Sequence, residues 1–465
     1  MLKYLLTLSI ICSSVFAETP LFKHKGLEYQ ELTEHGLTEL KAARDALRQR
    51  DRLFELEFKG LGNIHHAATV ARMLKSNMFL YGPPGGAKSA FVNWLFSGEA
   101  EVTFKLQMHQ MMGEQALIGG QDFEAAKQGK YILNTATSLA NFRVGLLDEI
   151  EKGNPAVLAT LLSLLNEREV MAGGETIKVK TESVFATSNA ILPEIFQQFL
   201  ESGQRTTAPA LLNRFQFKGF VYNWLDPNSQ AELDARRDKK LRCEALNACN
   251  ETTHEKPDIV NWENLRRFSR VLFVKTPEFL TAYNELANDL RKCTNEAVRD
   301  SELKHQKDRY NEPFVYFPSC DWTERLRGQI PESVQMSAMV DFLLSPWANN
   351  EDLEKMTQKQ INLGPTSLWR IYLIATTPSM GKASLFKNDD GKLELQFGTK
   401  LSAESARDAR ESKMLQNIAA EQERFKAAYL KRITDIQKIS ANLAPFTSSL
   451  AESKDFELLV MPSKE

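Results

Sequence analysis

Short apolar runs alternate with amphipathic stretches between Gly60 and about Trp224, a pattern that predicts an α/β layer built on a parallel sheet. Strands are expected at Met78–Tyr81, Val102–Leu106, Val144–Leu147 and Ser183–Thr187, and a hairpin over Val170–Val179 turning at Gly173-Gly174. Ala90–Phe96 reads as a helix. Upstream, residues 18 to about 60 are charged and helix-like, with Leu37–Arg44 typical. Downstream, Asp226–Pro257 is polar and short of large apolar side chains, and reads as an insertion or long connection. Helical patterning returns over residues 260–292, interrupted near Pro277, and again over Trp322–Leu344 and Ser367–Ala375, with a polar stretch at Thr294–Asn311 between them. Asn388–Gly391 marks a turn between two short strands. Ser402–Leu443 lacks Gly and Pro, and its apolar positions from Leu415 to Leu443 recur at spacings of three and four, as on one face of a long helix. That helix either packs on its own domain or meets a partner in a coiled coil.

The first residues follow a different pattern. Lys3 precedes a largely apolar run from Tyr4 to Phe16, and Val15 and Ala17 supply small residues at its exit. Those three regions in order predict a secretory signal, too short for a membrane span; the alternative is a buried first helix. The chain then divides into residues 1–17 (signal), 18–60 (helical segment), 61–224 (α/β core), 225–380 (helical, with insertions) and 381–465 (C-terminal extension).

Composition narrows the chemistry mainly by exclusion. The 465 residues are 43% apolar and 25% charged, enough for a sizeable core, and the net charge of −2 gives no global basic field to attract nucleic acid. Of five cysteines, loss of Cys12 with a signal leaves Cys243, Cys249, Cys293 and Cys320, which fit two disulfides in an oxidising compartment or four free thiols. Neither the cysteines nor the seven histidines have metal-ligand spacing, and His65 and His66 read as packing or polar surface residues.

The chemistry concentrates in Gly82-Pro83-Pro84-Gly85-Gly86-Ala87-Lys88-Ser89, between the first strand and a helix. Small residues let backbone N–H groups wrap phosphates, Lys88 reaches their terminal oxygens, the Ser89 hydroxyl can ligate Mg²⁺, and the helix N-terminus adds partial positive charge. Ala87 stands where a Gly is usual, and Ala takes positive φ only at a cost. The strand Val144–Leu147 ends in Asp148 and Glu149. Asp148 is placed to hold Mg²⁺ and Glu149 to polarise an attacking water.

The stretch Asp148-Glu149-Ile150-Glu151-Lys152-Gly153-Asn154, continued by Leu161–Glu169, closely resembles the MoxR family of AAA+ ATPases. It is most similar to the RavA-like branch, which shares the Gly-Pro-Pro-Gly-x-Ala-Lys-Ser loop and so accommodates Ala87. The resemblance implies a P-loop AAA+ parallel-sheet domain, a helical lid domain and a helical C-terminal extension. Ala186-Thr187-Ser188-Asn189 resembles the first sensor, with Asn189 near the γ-phosphate, although Asn189 could instead cap the next helix. Leu211-Leu212-Asn213-Arg214-Phe215 resembles the arginine-finger motif, which would send Arg214 to the nucleotide of a neighbouring subunit. Leu363-Gly364-Pro365-Thr366-Ser367 resembles the turn before the second sensor, whose arginine would fall at Leu368 or Arg370, with Arg325 and Arg327 as rivals; Arg370 is taken as nucleotide-binding. The family further implies ATP and Mg²⁺ bound between the subunits of a ring, expected as a hexamer, whose turnover remodels or assembles a protein client. No nucleic-acid partner and no stable membrane span are expected. An export signal sits uneasily with ATP, because a bacterial periplasm is not expected to supply it. The alternatives are a cytoplasmic location, or an exported scaffold on the same fold with little or no turnover.

Overall fold

A computed structural model describes residues 20–130, 132–172, 175–190, 195, 207–221, 227–245, 257–289, 324–345, 348–350, 353, 361–371, 377–378, 384–387 and 393–396, together with 412, 416, 419, 423 and 425–431. The proposed signal, the 294–311 stretch, the Gly173-Gly174 turn, most of 402–443 and all the cysteine side chains lie outside the described residues.

The long helix α1 (Pro20–Glu57) leads into α2 (Gly62–Leu74), strand β1 (Met78–Tyr81), α3 (Lys88–Leu95), β2 (Thr103–Gln107), β3 (Val144–Asp148), α4 (Pro155–Glu167), β4 (Ser183–Ser188), α5 (Thr207–Leu212) and β5 (Phe217–Phe220). These five strands pair in parallel in the order β5-β1-β4-β3-β2, and the two-residue β6 (Thr377–Pro378) adds a parallel sixth beside β5. β1, β4 and β5 are buried along their whole length, as strands covered on both faces must be. Alternation in β1 splits the core: Met78 and Leu80 join Phe185, Phe217 and helices α1 to α3, whereas Phe79 and Tyr81 join Leu147, Val184 and the apolar face of α4.

The strands fall within a residue of expectation, β2 lying one position later than predicted. Glu169–Ala172 pairs antiparallel with Glu175–Lys178, as does Ser384–Lys387 with Leu393–Gln396. Two regions differ. Pro227–Ala245, read as a connection, is a helix, α6. Its described side chains carry no apolar stripe and are largely exposed, so hydrophobic periodicity had nothing to report. The break before Pro277 is also more than a kink: α7 (Trp262–Leu272) runs into a strand, Phe273–Lys275, which pairs in parallel with Ile361–Leu363.

Helix α8 (Glu324–Leu344) packs on α1, α2 and α7, within the cluster on the first face of the sheet. Arg48 of α1 donates to the Leu343 carbonyl at 2.8 Å, close to where α8 ends. Arg50 of α1 is fully buried, lies over the Trp94 ring at 5.0 Å and donates to the Leu95 carbonyl, tying α1 to α3. His65 stacks on Phe54 at 4.0 Å, and His66 bonds Ser337 at 2.8 Å, so both are packing residues of the interior.

Candidate active site

Three loops leave the carboxyl ends of the neighbouring strands β1, β4 and β3, where an open α/β sheet offers its binding crevice. The register places Tyr81 beside Ser188 and Gln107 beside Asp148, so the residues that follow converge on one rim.

The glycine-rich loop is shaped by its backbone. Gly82 has φ +140°, and any Cβ there would run into the Val221 carbonyl. Ala87 takes the left-handed conformation, φ 58° and ψ 19°, as the residue that starts α3, so the strain foreseen for an alanine is present. Lys88 is buried, and its ammonium donates to the carbonyls of Gly82 at 2.9 Å and Pro83 at 2.8 Å. Burial lowers its pKa from 10.5 to about 8, opposed by the nearby carboxylates of Glu151 and Asp148.

The acidic strand end meets the loop directly. Ser89 Oγ donates to Asp148 Oδ1 at 2.9 Å, and the Thr187 hydroxyl donates to the same oxygen. Glu149 is left-handed at φ 54°, and its carboxylate accepts from Gln107 Nε2 at 2.8 Å, Asn189 Nδ2 at 3.0 Å and Lys152 Nζ at 2.9 Å. The bonds from Gln107 and Lys152, then that from Asn189, hold its pKa below the ordinary carboxylate value. Glu151 accepts from the Asn189 backbone N–H at 3.3 Å, and burial raises its pKa.

Lys88, Ser89, Asp148, Glu149 and Asn189 are thus gathered on one rim. Arg214 is not: it sits in the turn before β5, at the amino ends of the strands, where Asn77 Nδ2 donates to its carbonyl at 2.9 Å. Arg370 is also elsewhere. It is 2% exposed, ion-paired with Asp341 of α8, stacked over Trp369 at 4.7 Å and close to buried Tyr429; burial lowers its pKa to about 9. Leu368 is buried in the core, and Arg325 and Arg327 lie in the first turn of α8. Gln107, Thr187 and Glu151 are the rim residues that sequence reasoning passed over. Gln107 lay one residue beyond the predicted strand, and its partnership with Glu149 exists only through the β2–β3 register.

A nucleotide and Mg²⁺ fit this donor set. The loop has no room for side chains where backbone must approach phosphates, a buried ammonium currently has only neutral carbonyls as acceptors, and Ser89 with Asp148 offers the hard oxygen ligands that Mg²⁺ takes.

The family model of the MoxR domain in MoxR–vWA–β-propeller ternary systems matches residues 45–233, which span α1's second half to α6 and include every residue of the rim. Residues 45–233 form a MoxR-type AAA+ domain. Two uncharacterized proteins of Methanocaldococcus jannaschii are each 32% identical to it over 128 residues, 27% of this chain; the match spans 33% of one and 34% of the other. The chain therefore spans about a third of the length of these curated relatives. A crystal structure of a candidate ATPase from Cytophaga hutchinsonii is similar at 15% identity and TM-score 0.44, covering 83% of this chain and 97% of that one. The family assignment does not rest on that likeness. It holds at the level of the MoxR domain, and the RavA-like resemblance within the family rests on the loop sequence alone.

Proposed function

We propose that this MoxR-type protein binds and hydrolyses ATP in a subunit ring, expected as a hexamer, and uses the cycle to remodel or assemble a protein client. The observation that carries the reading is the convergence of Lys88, Ser89, Asp148, Glu149 and Asn189 on one rim. In this reading the backbone of Gly82–Ala87 and the Lys88 ammonium hold the phosphates, and Ser89 and Asp148 hold Mg²⁺. The bound ion would neutralise charge on the phosphate oxygens. Glu149, kept ionised by its three donors, takes the proton of the attacking water, while Asn189 orients its carboxylate. Arg214, remote from its own rim, serves the site of a neighbouring subunit. The MoxR–vWA–β-propeller systems of the matching family suggest the client's class: a vWA-domain protein accompanied by a β-propeller protein.

The test pairs two variants. Lys88→Ala should abolish nucleotide binding. Glu149→Gln should keep binding and lower turnover by roughly 10²–10⁴-fold, the usual span for loss of a general base. Two variants that both turn over ATP like the parent would sink the assignment.

The N-terminal sequence favours a second reading, an exported scaffold on the same fold with little turnover. Fractionation of cells carrying a C-terminally tagged chain separates the two locations, and a folded, oligomeric sample that binds no nucleotide would favour the scaffold.

A further inference from the structure

At the end of the sheet opposite the rim lies a half-open cavity of about 270 Å³. It is lined by Asn77, which precedes β1, by Asn213, Arg214 and Gln216, which precede β5, and by Asn166 and Arg168 at the end of α4. Arg168 is unusual in two ways. It adopts φ 56° and ψ 32° as the residue that ends α4, a conformation that costs a non-glycine residue energy and persists where the surroundings enforce it. Its guanidinium is also half-satisfied: Nη2 donates to Asn77 Oδ1 at 3.1 Å, whereas Nη1 is buried with no hydrogen-bond acceptor. A buried charged donor left open is costly unless an acceptor arrives.

The charge balance favours an incoming anion. The carboxylate acting on Arg168 is Glu182, which already accepts from Lys75 at 3.3 Å and from Arg143 at 2.9 Å. Three cations therefore share one carboxylate beside Arg214, although Glu263 also bonds Lys75 at 2.8 Å. The cavity also holds the unbonded amide oxygens of Asn166 and Asn213. The Asn213 amide presents N–H donors when turned over, whereas Asn166 keeps its Nδ2 on Glu167 at 3.4 Å.

We propose that Arg168 is a second cation of the inter-subunit face, entering the neighbouring subunit's site beside Arg214 to contact the terminal phosphate of the nucleotide held there. This rests on the reading of Arg214 given above and extends it to Arg168, which lies in the MoxR-like stretch Leu161–Glu169 but has no role assigned there. Arg168 cannot serve its own rim, because β1 and β5 separate the cavity from the glycine-rich loop by a strand of four residues, about 13 Å. Asn77 would act as the common anchor, holding the Arg168 side chain through its oxygen and the Arg214 turn through its nitrogen.

The test uses the full chain and mixed rings. Arg168→Gln is expected to lose at least tenfold in kcat while nucleotide affinity stays within threefold. Mixing it with Lys88→Ala subunits, which lack a nucleotide site but keep Arg168, is expected to restore turnover above that of Arg168→Gln alone. Arg214→Ala is measured in the same mixtures. Turnover of Arg168→Gln within twofold of the parent, or a loss that mixing does not rescue while the Arg214→Ala loss is rescued, overturns this proposal alone. Full turnover in both variants, or a parent that turns over no ATP, overturns the inter-subunit reading beneath it. If Arg168→Gln melts below the assay temperature, Arg168→Lys replaces it: an intermediate kcat, rescued in the mixture, is expected, and an unrescued one overturns the proposal.

Discussion

Two non-glycine residues hold left-handed backbone at the chemical centre, Ala87 and Glu149, and each starts a helical turn that presents a functional group. Ala87 carries the smaller burden because it has only a methyl group. Ala87→Gly should change stability by less than about 1 kcal/mol, the relief of strain offsetting the freer unfolded chain. Ala87→Val should weaken nucleotide binding by roughly tenfold, since a β-branched residue at positive φ is a true outlier. Isothermal titration of both variants checks this, and an unaffected valine variant would mean the loop does not need that backbone. Lys88 yields a pH prediction. Its pKa is lowered to about 8, so between pH 8 and 10.5 the folded protein binds fewer protons than the unfolded chain, and this group's contribution to stability rises with pH there. Phosphate restores the charge. Nucleotide binding should therefore take up a proton above pH 8 and weaken by about tenfold from pH 7 to pH 9. Calorimetry at pH 8.5 in two buffers of different ionisation enthalpy reads the proton directly, and no uptake would contradict the buried-lysine account. Lys88, Asp148 and Glu149 were legible because loop, strand end and carboxylates are contiguous in sequence. Gln107 was not, because only the β2–β3 register joins it to the site, whereas Thr187 and Glu151 lie inside the quoted motifs and lacked only an assigned role.

Among the elements, the start of β1 does more than begin a strand. Asn77 accepts from the Val184 backbone at 3.0 Å and from Arg168, and it donates to the Arg214 carbonyl, so one amide fixes β4, the end of α4 and the turn before β5. Asn77→Ala would strand two buried backbone groups, and it should cost about 2–3 kcal/mol in a urea titration. A change below about 0.5 kcal/mol, the range of ordinary surface substitutions, would show that the clamp is incidental. The strands were readable as short buried runs, while the helix α4, with Asn154 capping it and Pro155 at its first position, was implied only by the family resemblance. Helix α6 was unreadable by the same logic, since its sequence lacks an apolar face and it is tied by polar contacts: Arg236 with the carbonyl of Leu56 in α1, and Glu232 with Lys59 just beyond it at 3.1 Å.

At the level of the whole molecule, one face of the α/β core and the helices packed on it share one continuous hydrophobic cluster, closed in part by Phe425 and Tyr429 from the C-terminal extension. Arg370 is where the sequence reading and the structure part most clearly. The Gly-Pro turn suggested a nucleotide contact, whereas the side chain is buried against Asp341, itself 3.6 Å from His66. One carboxylate thus links the helix before the sheet to the turn beyond α8. Arg370→Ala should lower stability measurably without nucleotide present, because the buried guanidinium loses its packing on Trp369 and its pair with Asp341, which is itself partly exposed. An unchanged urea midpoint together with lost ATP affinity would return Arg370 to the nucleotide. Sequence patterning could not foresee the pairing, because 29 positions separate its partners and no motif spans them.

The central claim is hydrolysis at the rim between β1, β3 and β4. Its most direct test is steady-state ATP turnover with Mg²⁺ by the purified chain beside its Glu149→Gln variant, with nucleotide binding measured in both. The account predicts turnover in the parent, and in the variant retained binding with turnover reduced by roughly 10²-fold or more. Equal turnover in both proteins, or no nucleotide bound by either in a folded sample, would contradict it.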